Sequence, residues 1–196
     1  MAMKKLFTGY RLGEITLKTR FIMAPMTRSR ARDEHADALT ALYYAQRASA
    51  GLIISEGLPV SREGTGYLFN PGIYLDSHVE AWLPVTQAVH KKGGKIFAQL
   101  WHVGRVSHTS LQPGGQPPVS AVAVQGGSAF AWDENGEPAT VTASLPRALL
   151  TEEIKQIVAD FRKAAANAIS AGFDGVEVHG ANGYLIEQFI NPVLNT

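Results

Sequence analysis

The sequence predicts an α/β domain with a parallel sheet, and three observations support that fold class. Four apolar runs have the length of buried strands. Segments of helical composition alternate with these runs, which is typical of a parallel sheet with helices packed outside it. The glycines do not favour a dinucleotide-binding sheet, because the close pair Gly64 and Gly66 opens no helix. We therefore expect four strand–helix units in one sheet, preceded by a hairpin.

The first elements are a hairpin, a strand and a helix. Residues 7–18 alternate loosely around a turn signal at Gly13, which predicts a short hairpin. Residues 20–25 form an apolar run that is too short for a helix and ends at a proline, so they predict a buried strand. Residues 37–50 have helical composition and stop at Gly51, which we interpret as a C-terminal cap.

The middle of the chain repeats this strand–helix order. Residues 52–56 predict a second buried strand that ends at Gly57. Ser77 to Glu80 match a capping box, which predicts the start of a helix there. Pro84 lies inside that helix, so we expect a kink or a helix in two pieces. Residues 95–101 predict the third strand.

The last predicted units contain the clearest helix of the sequence. Thr151 can cap this helix and Gly172 ends it. Residues 173–178 predict a fourth strand, and residues 184–190 begin another helix. The apolar stripe that should face the core consists of Ile154, Ile157, Val158, Phe161, Ala165 and Ala168.

One long segment interrupts the alternation of strands and helices. Residues 102–149, about 48 residues, separate the third strand from its helix within what we treat as a single domain spanning residues 1–196. The sequence Asp-Glu-Asn-Gly at 133–136 predicts a hairpin inside this segment. A connection of this length is usually functional or a lid. A solvent-exposed insertion explains its length equally well.

Composition excludes several classes of function. The formal net charge of +1 gives no electrostatic footprint for nucleic acid or an anionic membrane. The absence of cysteine excludes disulfides and thiolate sites within these residues, and it fits a cytoplasmic enzyme. No apolar stretch approaches the roughly 18 residues of a membrane span, and no signal peptide is expected.

Polar and aromatic residues gather where the predicted strands end. Thr27 follows the first strand, Gln99 and Trp101 end the third, and His179 and Tyr184 follow the fourth. Barrels of alternating strands and helices keep their sites at this end of the sheet. The histidines at 102, 108 and 179 lack the spacing and the carboxylates of a metal site, so we expect no metal.

Four motifs at these strand ends resemble the Old Yellow Enzyme family of flavin ene-reductases. They are Met-Ala-Pro-Met-Thr-Arg (23–28), Ser-Glu-Gly (55–57), Gln-Leu-Trp-His-Val-Gly-Arg (99–105) and His-Gly-Ala-Asn-Gly-Tyr-Leu (179–185). The resemblance implies that the chain is the N-terminal half of a (βα)8 TIM barrel. It also implies FMN as cofactor and NAD(P)H-dependent reduction of the C=C bond of small enones.

The resemblance further implies a role for individual residues. Tyr184 would be the general acid that protonates the α-carbon, with His179 and Asn182 holding the substrate carbonyl oxygen. Because these two residues are three apart, one helical turn could present both on one face. The residues implied in FMN binding are Pro25, Met26, Thr27, Gly57, Gln99 and His179. The residues implied in substrate binding are Tyr67, Trp101, His179 and Asn182.

A complete barrel of this type typically needs about 250 residues. We therefore expect either a separate C-terminal half-barrel polypeptide or a second copy of this chain as partner. Two other interpretations remain open from the sequence. One is an iron–sulfur flavoprotein of the dienoyl-CoA reductase type, and the other is a non-catalytic half-barrel fragment that serves as an assembly module.

Overall fold

A four-stranded parallel sheet lies at the centre of the computed structural model, which describes residues 2–195. The strands are β1 (Tyr10–Leu12), β2 (Ile15–Leu17), β3 (Ile22–Met23), β4 (Leu52–Pro59), β5 (Ile96–Trp101), β6 (Val119–Ser120), β7 (Ser128–Trp132), β8 (Pro138–Thr142), β9 (Arg147–Ala148) and β10 (Gly175–Val178). The helices are α1 (Ala2–Leu6), α2 (Ala38–Ala45), α3 (Asp76–Lys91), α4 (Thr151–Ser170) and α5 (Leu185–Ile190).

The central sheet has the order β3–β4–β5–β10, so its four strands lie side by side in the order in which they occur along the chain. All three pairings are parallel. This order confirms the predicted α/β class. Because the strands are parallel, their carboxyl ends lie at one edge, and the loops that follow them are neighbours.

The main core lies between this sheet and its helices. Trp82 of α3 is fully buried there, and its indole N–H donates to the Gly72 carbonyl at 3.1 Å. Ala164 and Ala168 of α4 pack into the same cluster with Ile53 and Ile96 of the sheet. Small residues on α4 let this helix approach the strands closely, which fixes where β10 and its following loop emerge.

The predicted N-terminal hairpin forms and closes the opposite end of the sheet. β1 and β2 pair antiparallel through the turn at Gly13. Leu17 is buried against Leu52 and Ile54. The Lys18 ammonium donates to the Ala48 carbonyl at 2.6 Å, just before β4 begins. The amino end of the sheet is therefore covered, and the carboxyl end is left for a ligand.

The first predicted strand is shorter and more exposed than its sequence indicates. Only Ile22 and Met23 of the run at residues 20–25 pair with β4, and Ile22 is 54% exposed. The strand lies at the edge of the sheet, so no neighbour covers its second side within the described residues. The apolar pattern was identified correctly, but the expectation of burial was wrong.

Two glycines have roles other than the predicted ones. α2 ends at Ala45, and Gly51 is not its cap. A Cβ at Gly51 would lie 2.1 Å from the Thr19 carbonyl oxygen, so this glycine permits a close approach of two backbones. Gly57 does not end β4, which continues to Pro59. A Cβ there would lie 2.3 Å from the Trp101 ring.

The helix starts also differ in detail from their sequence signals. α3 begins at Asp76, and its cap residue Leu75 donates its backbone N–H to Nδ1 of His78 at 3.3 Å. The capping box predicted for Ser77 is therefore wrong, since that hydroxyl pairs with the His35 ring at 2.9 Å instead. α3 is a single helix that continues through Pro84.

The long helix α4 has the predicted end but not the predicted cap. Leu150 rather than Thr151 is its N-cap, and the Leu150 N–H donates to the Glu153 carboxylate at 2.7 Å. Gly172 ends the helix in the left-handed conformation, with φ +85°. Along the apolar stripe, Ile157 and Ala168 are buried, but Val158 is 63% exposed. The apolar stripe of α4 is thus wider than the part of the helix surface that the other described residues cover.

The segment at residues 102–149 is folded onto the domain and is not a solvated loop. Its predicted hairpin forms from β7 and β8. Leu111, Ala129 and Ala131 of this segment are buried with Leu68 in a second small core. β6 and β9 pair parallel and hold the end of the segment against its middle. No helix within residues 2–195 is long and apolar enough to cross a membrane.

Candidate active site

Four aromatic side chains meet at the carboxyl edge of the sheet. The rings of Tyr67 and Trp101 stack with centroids 5.3 Å apart. Tyr184 packs edge-on against Trp101 at 4.8 Å and against His179 at 5.0 Å. We call these four residues the aromatic cluster. Three segments that are distant in sequence contribute to it, so the parallel order of the strands assembles the site.

Tyr184 holds its phenol in this cluster as the N-cap residue of α5. Its hydroxyl lies 3.2 Å from the hydroxyl of Tyr67. Burial, and secondarily the hydrogen bond with Tyr67, raises the pKa of Tyr184 well above its usual value. The phenol therefore keeps its proton throughout the physiological pH range and is available as a proton donor.

His179 directly follows β10 and continues the hydrogen bonding of β10 to β5 by one residue. Its backbone N–H donates to the Leu100 carbonyl at 3.0 Å. Its ring Nδ1 accepts the N–H of Ala181 at 3.4 Å, and burial lowers the pKa of the imidazole. The ring is therefore neutral with its proton on Nε2, which leaves one N–H donor on the side away from the Ala181 amide.

Asn182 is presented by a loop and not by a helix. α5 begins at Leu185, so the expectation that one helical turn aligns His179 with Asn182 is wrong. Asn182 is exposed and left-handed, with φ 59°. The next residue, Gly183, donates its N–H to the Glu187 carboxylate at 2.7 Å. The loop conformation is thus fixed from α5, and within residues 2–195 the Asn182 side chain makes no hydrogen bond.

Gln99 is buried in β5, where it lies opposite Glu177 of β10. Its amide nitrogen donates to the Glu177 carboxylate at 2.7 Å, and its backbone N–H donates to the Ser55 hydroxyl at 3.1 Å. Among the described residues, its amide oxygen accepts no hydrogen bond. Glu177 thus orients the amide of Gln99. Sequence reasoning missed this carboxylate, because only the register of β5 against β10 reveals the pair.

The segment that contains Pro25, Met26 and Thr27 follows β3, the edge strand of the sheet. Met26 and Thr27 are exposed, and the Thr27 hydroxyl makes no hydrogen bond within residues 2–195. The next residue, Arg28, donates its backbone N–H to the Glu56 carboxylate at 3.1 Å. This contact holds the segment beside the carboxyl end of β4, where Gly57 packs against Trp101.

Gln188 is a buried residue that the sequence analysis did not identify. Its amide nitrogen donates to the carbonyls of Gly183 at 2.7 Å and Val103 at 3.1 Å. Its amide oxygen accepts the N–H of Arg105 at 3.2 Å and the Ser120 hydroxyl at 3.0 Å. Gln188 therefore joins the long segment to the loop that carries Tyr184. Its sequence signal is weak, because Gln188 follows another polar residue, Glu187, within α5.

A substitution at Gly104 tests the importance of the Gln188 hydrogen bonds. Its φ is +60°, and a Cβ there would lie 2.0 Å from the Gln188 amide oxygen. We expect Gly104→Ala to lower the free energy of unfolding by about 3 kcal/mol, because backbone strain adds to the disruption of buried hydrogen bonds. Urea denaturation measures the loss.

Gly114→Ala is the matched control for that substitution. Gly114 has the same φ of +60°, but a Cβ there would meet nothing within 4 Å. This variant should lose only the strain contribution, about 1 kcal/mol. Equal losses in the two variants would show that the Gln188 contact is unimportant.

Comparison with known proteins agrees with this geometry. A sequence model of the NADH:flavin oxidoreductase / NADH oxidase family matches residues 5–196. The chain is 47% identical over 191 residues to 12-oxophytodienoate reductase 1 of Oryza sativa subsp. japonica, a match that covers 97% of this chain and 48% of that protein. The chain thus spans about half the length of the curated relatives it matches.

Solved structures show the same relationship in three dimensions. The structure of morphinone reductase in complex with tetrahydroNAD superposes with a TM-score of 0.94 at 50% identity, covering 97% of this chain and 53% of that one. The old yellow enzyme homologue from Zymomonas mobilis superposes with a TM-score of 0.91 at 49% identity, covering 97% and 52%. These matches confirm both the resemblance and the half-barrel fold. The chain belongs to the NADH:flavin oxidoreductase / NADH oxidase family.

Proposed function

We propose that this chain supplies half of an FMN-dependent ene-reductase that uses NAD(P)H to reduce the C=C bond of α,β-unsaturated carbonyl compounds. The observation that carries the proposal is the aromatic cluster, in which the protonated phenol of Tyr184 lies beside the neutral imidazole of His179. The names of the relatives, 12-oxophytodienoate reductase and morphinone reductase, support a reductase of this kind. The proposed compartment is the cytoplasm, where NAD(P)H is available.

The polar groups at the carboxyl edge fit the pyrimidine ring of a flavin. That ring has both donors and acceptors, and the Gln99 amide oxygen and Thr27 hydroxyl are without partners within residues 2–195. The backbone of Pro25, Met26 and Gly57 would complete the contacts to the ring, with His179 beside it. When bound, FMN supplies the hydride that it has accepted from NAD(P)H.

The side chains of the cluster can perform the remaining chemistry. The N–H of His179 and the amide of Asn182 would donate to the substrate carbonyl oxygen and stabilise the negative charge that develops there as hydride reaches the β-carbon. The Tyr184 hydroxyl would then transfer its proton to the α-carbon. One hydride and one proton are thereby added across the C=C bond. Tyr67 and Trp101 would line the substrate pocket.

Two surfaces of the chain favour a partner that completes the barrel. Ile22 at one edge of the sheet and Val178 at the other are each 54% exposed. An apolar groove of about 260 Å³ lies beside the second edge. It is lined by Ile154, Ile157, Val158, Phe161, Val178, Leu185, Ile186 and Phe189. Barrel phosphate sites usually come from the loops after strands seven and eight, so the partner would also anchor the FMN phosphate.

Size and colour together test this proposal. The 196-residue chain by itself should be colourless or self-associated, because the proposed phosphate anchor belongs to the partner and both edges of the sheet are open within residues 2–195. Mixed with the C-terminal half of the barrel, it should elute as one complex with flavin absorbance and should reduce 2-cyclohexenone with NADPH or NADH.

Other outcomes would contradict specific parts of the proposal. A yellow, monomeric and enone-reducing sample of the chain alone would refute the need for a partner. A flavin-loaded complex with no enone reduction would refute the ene-reductase function. The visible spectrum should show flavin bands without the broad absorbance of an iron–sulfur cluster, which separates this function from that of a dienoyl-CoA reductase.

A further inference from the structure

A buried carboxylate lies directly behind the segment proposed to contact the flavin. Glu56 of β4 is only 3% exposed. One of its oxygens accepts the backbone N–H of Arg28 at 3.1 Å, and the other accepts the hydroxyl of Tyr44 at 3.3 Å. The Tyr44 oxygen in turn accepts the N–H of Glu56 at 2.8 Å. The carboxylate is therefore held rigidly by α2, and it holds the peptide between Thr27 and Arg28.

The surroundings of Glu56 place a cation near it, the Arg28 guanidinium, but not at ion-pair distance. A cavity of about 270 Å³ adjoins it, and the charged groups on its wall are Arg28, Arg30 and Asp37. The Arg28 guanidinium lies over the Tyr43 ring at 4.5 Å, and Asp37 accepts the Thr40 N–H as a helix cap. Within the described part of the chain, Glu56 forms no ion pair.

Ionisation of Glu56 changes the strength of its contact with the segment. A hydrogen bond to a carboxylate is shorter and roughly twice as strong as one to a neutral carboxyl group. Burial raises the pKa of Glu56 to about 7, against the lowering effects of the hydrogen bonds from Arg28 and Tyr44 and of the Arg28 charge. Both protonation states are therefore populated near neutral pH, and the ionised one holds the Arg28 N–H more firmly.

We propose that Glu56 is a positioning residue for the backbone of residues 25–28, and that its ionisation makes the affinity for FMN depend on pH. The inference rests on the proposed function, in which Pro25, Met26 and Thr27 face the flavin. A loosely held peptide at Arg28 leaves these contacts disordered, so flavin binding must order them. The ionised carboxylate orders them beforehand and tightens binding.

The experiment measures the FMN dissociation constant of the assembled barrel from pH 6 to pH 8.5 by fluorescence titration. For the unsubstituted protein we expect the affinity to rise about fivefold through pH 7, the difference between a neutral and a charge-assisted hydrogen bond. Glu56→Gln should remove this rise and keep the weaker affinity at every pH. The FMN phosphate ionises near pH 6, but it affects both proteins equally, so the difference between their profiles isolates Glu56.

Two further variants make the test specific. Glu63→Gln is the matched control, because burial also raises the pKa of Glu63, but within residues 2–195 its carboxylate pairs with Arg147 and forms no hydrogen bond or ion pair with the 25–28 segment. Its pH profile should equal that of the unsubstituted protein. Tyr44→Phe removes a hydrogen bond that lowers the pKa of Glu56, so the rise in affinity should move to higher pH. This result supports the inference even when Glu56→Gln fails to fold.

The opposite results separate this inference from the function on which it rests. Identical pH profiles for the unsubstituted protein and Glu56→Gln, with enone reduction intact, would overturn the inference alone. A profile that moves equally in Glu63→Gln would also overturn it. Failure of the assembled barrel to bind FMN at any pH would overturn both the inference and the proposed function.

Discussion

Tyr184→Phe should slow enone reduction by about 10²- to 10⁴-fold in the assembled flavoprotein, the usual contribution of a general acid. The substitution removes the hydroxyl, but it keeps the ring that packs against Trp101 and His179. The proton is required only when the substrate is reduced. The reduction of the bound flavin by NAD(P)H should therefore proceed at nearly its original rate. Stopped-flow absorbance measures the two half-reactions separately.

Tyr10→Phe is a suitable control, because Tyr10 is an exposed tyrosine on β1, away from the cluster. It should leave both half-reactions unchanged. Thr27→Ala should differ from Tyr184→Phe, since the loss of the proposed contact between the Thr27 hydroxyl and the flavin would affect both half-reactions. Equal loss in both half-reactions of Tyr184→Phe would contradict its role as the proton donor.

His179→Ala should lower kcat/KM for the enone by about 10²- to 10³-fold, the typical effect of removing one donor that stabilises a developing oxyanion. The imidazole presents its Nε2–H because Nδ1 is occupied by the Ala181 N–H. Alanine supplies no donor, so the negative charge on the substrate oxygen is less stabilised. Steady-state kinetics with 2-cyclohexenone measures the loss.

His108→Ala provides the comparison for the His179 substitution. His108 lies in the long segment, where its ring pairs with the Ser110 hydroxyl at 2.8 Å. The His108→Ala variant should retain the original kcat/KM for the enone. Losses of similar size in the two variants would indicate a general effect of histidine removal on the fold, and would contradict an oxyanion role for His179.

Local patterns in the sequence predicted the elements that local interactions determine. The apolar stripe and Gly172 located α4 and its end, and the turn signal at 133–136 located the hairpin of β7 and β8. The family resemblance implied that Tyr67, Trp101, His179 and Tyr184 share one site, and the structure brings their rings together.

Features that depend on distant residues could not be predicted in this way. Gly57 was interpreted as the end of a strand, but its role is to leave room for a tryptophan more than forty residues later. Gln188 and Glu56 also act through partners that are distant in sequence. The periodic patterns of a single sequence indicate helices and strands, but they do not indicate which distant residues come into contact. The roles of Thr27 and Asn182 stay predictions, because their side chains make no hydrogen bond within residues 2–195.

The four hydrogen bonds of Gln188 determine which part of the long segment could move. They fix its base at Val103, Arg105 and Ser120 to α5, so an opening motion cannot begin there without leaving a buried amide unpaired. The tip formed by β7 and β8 has no such tether to α5 within residues 2–195. This tip is held to the aromatic cluster instead, because Tyr67 forms an isolated β-bridge with Phe130 and the Leu68 N–H donates to the Phe130 carbonyl at 2.8 Å. The Tyr67 hydroxyl lies 3.2 Å from that of Tyr184, so any displacement of the hairpin is transmitted to the proposed proton donor. The long segment is therefore a wall of the site whose position and the position of the Tyr184 hydroxyl are coupled.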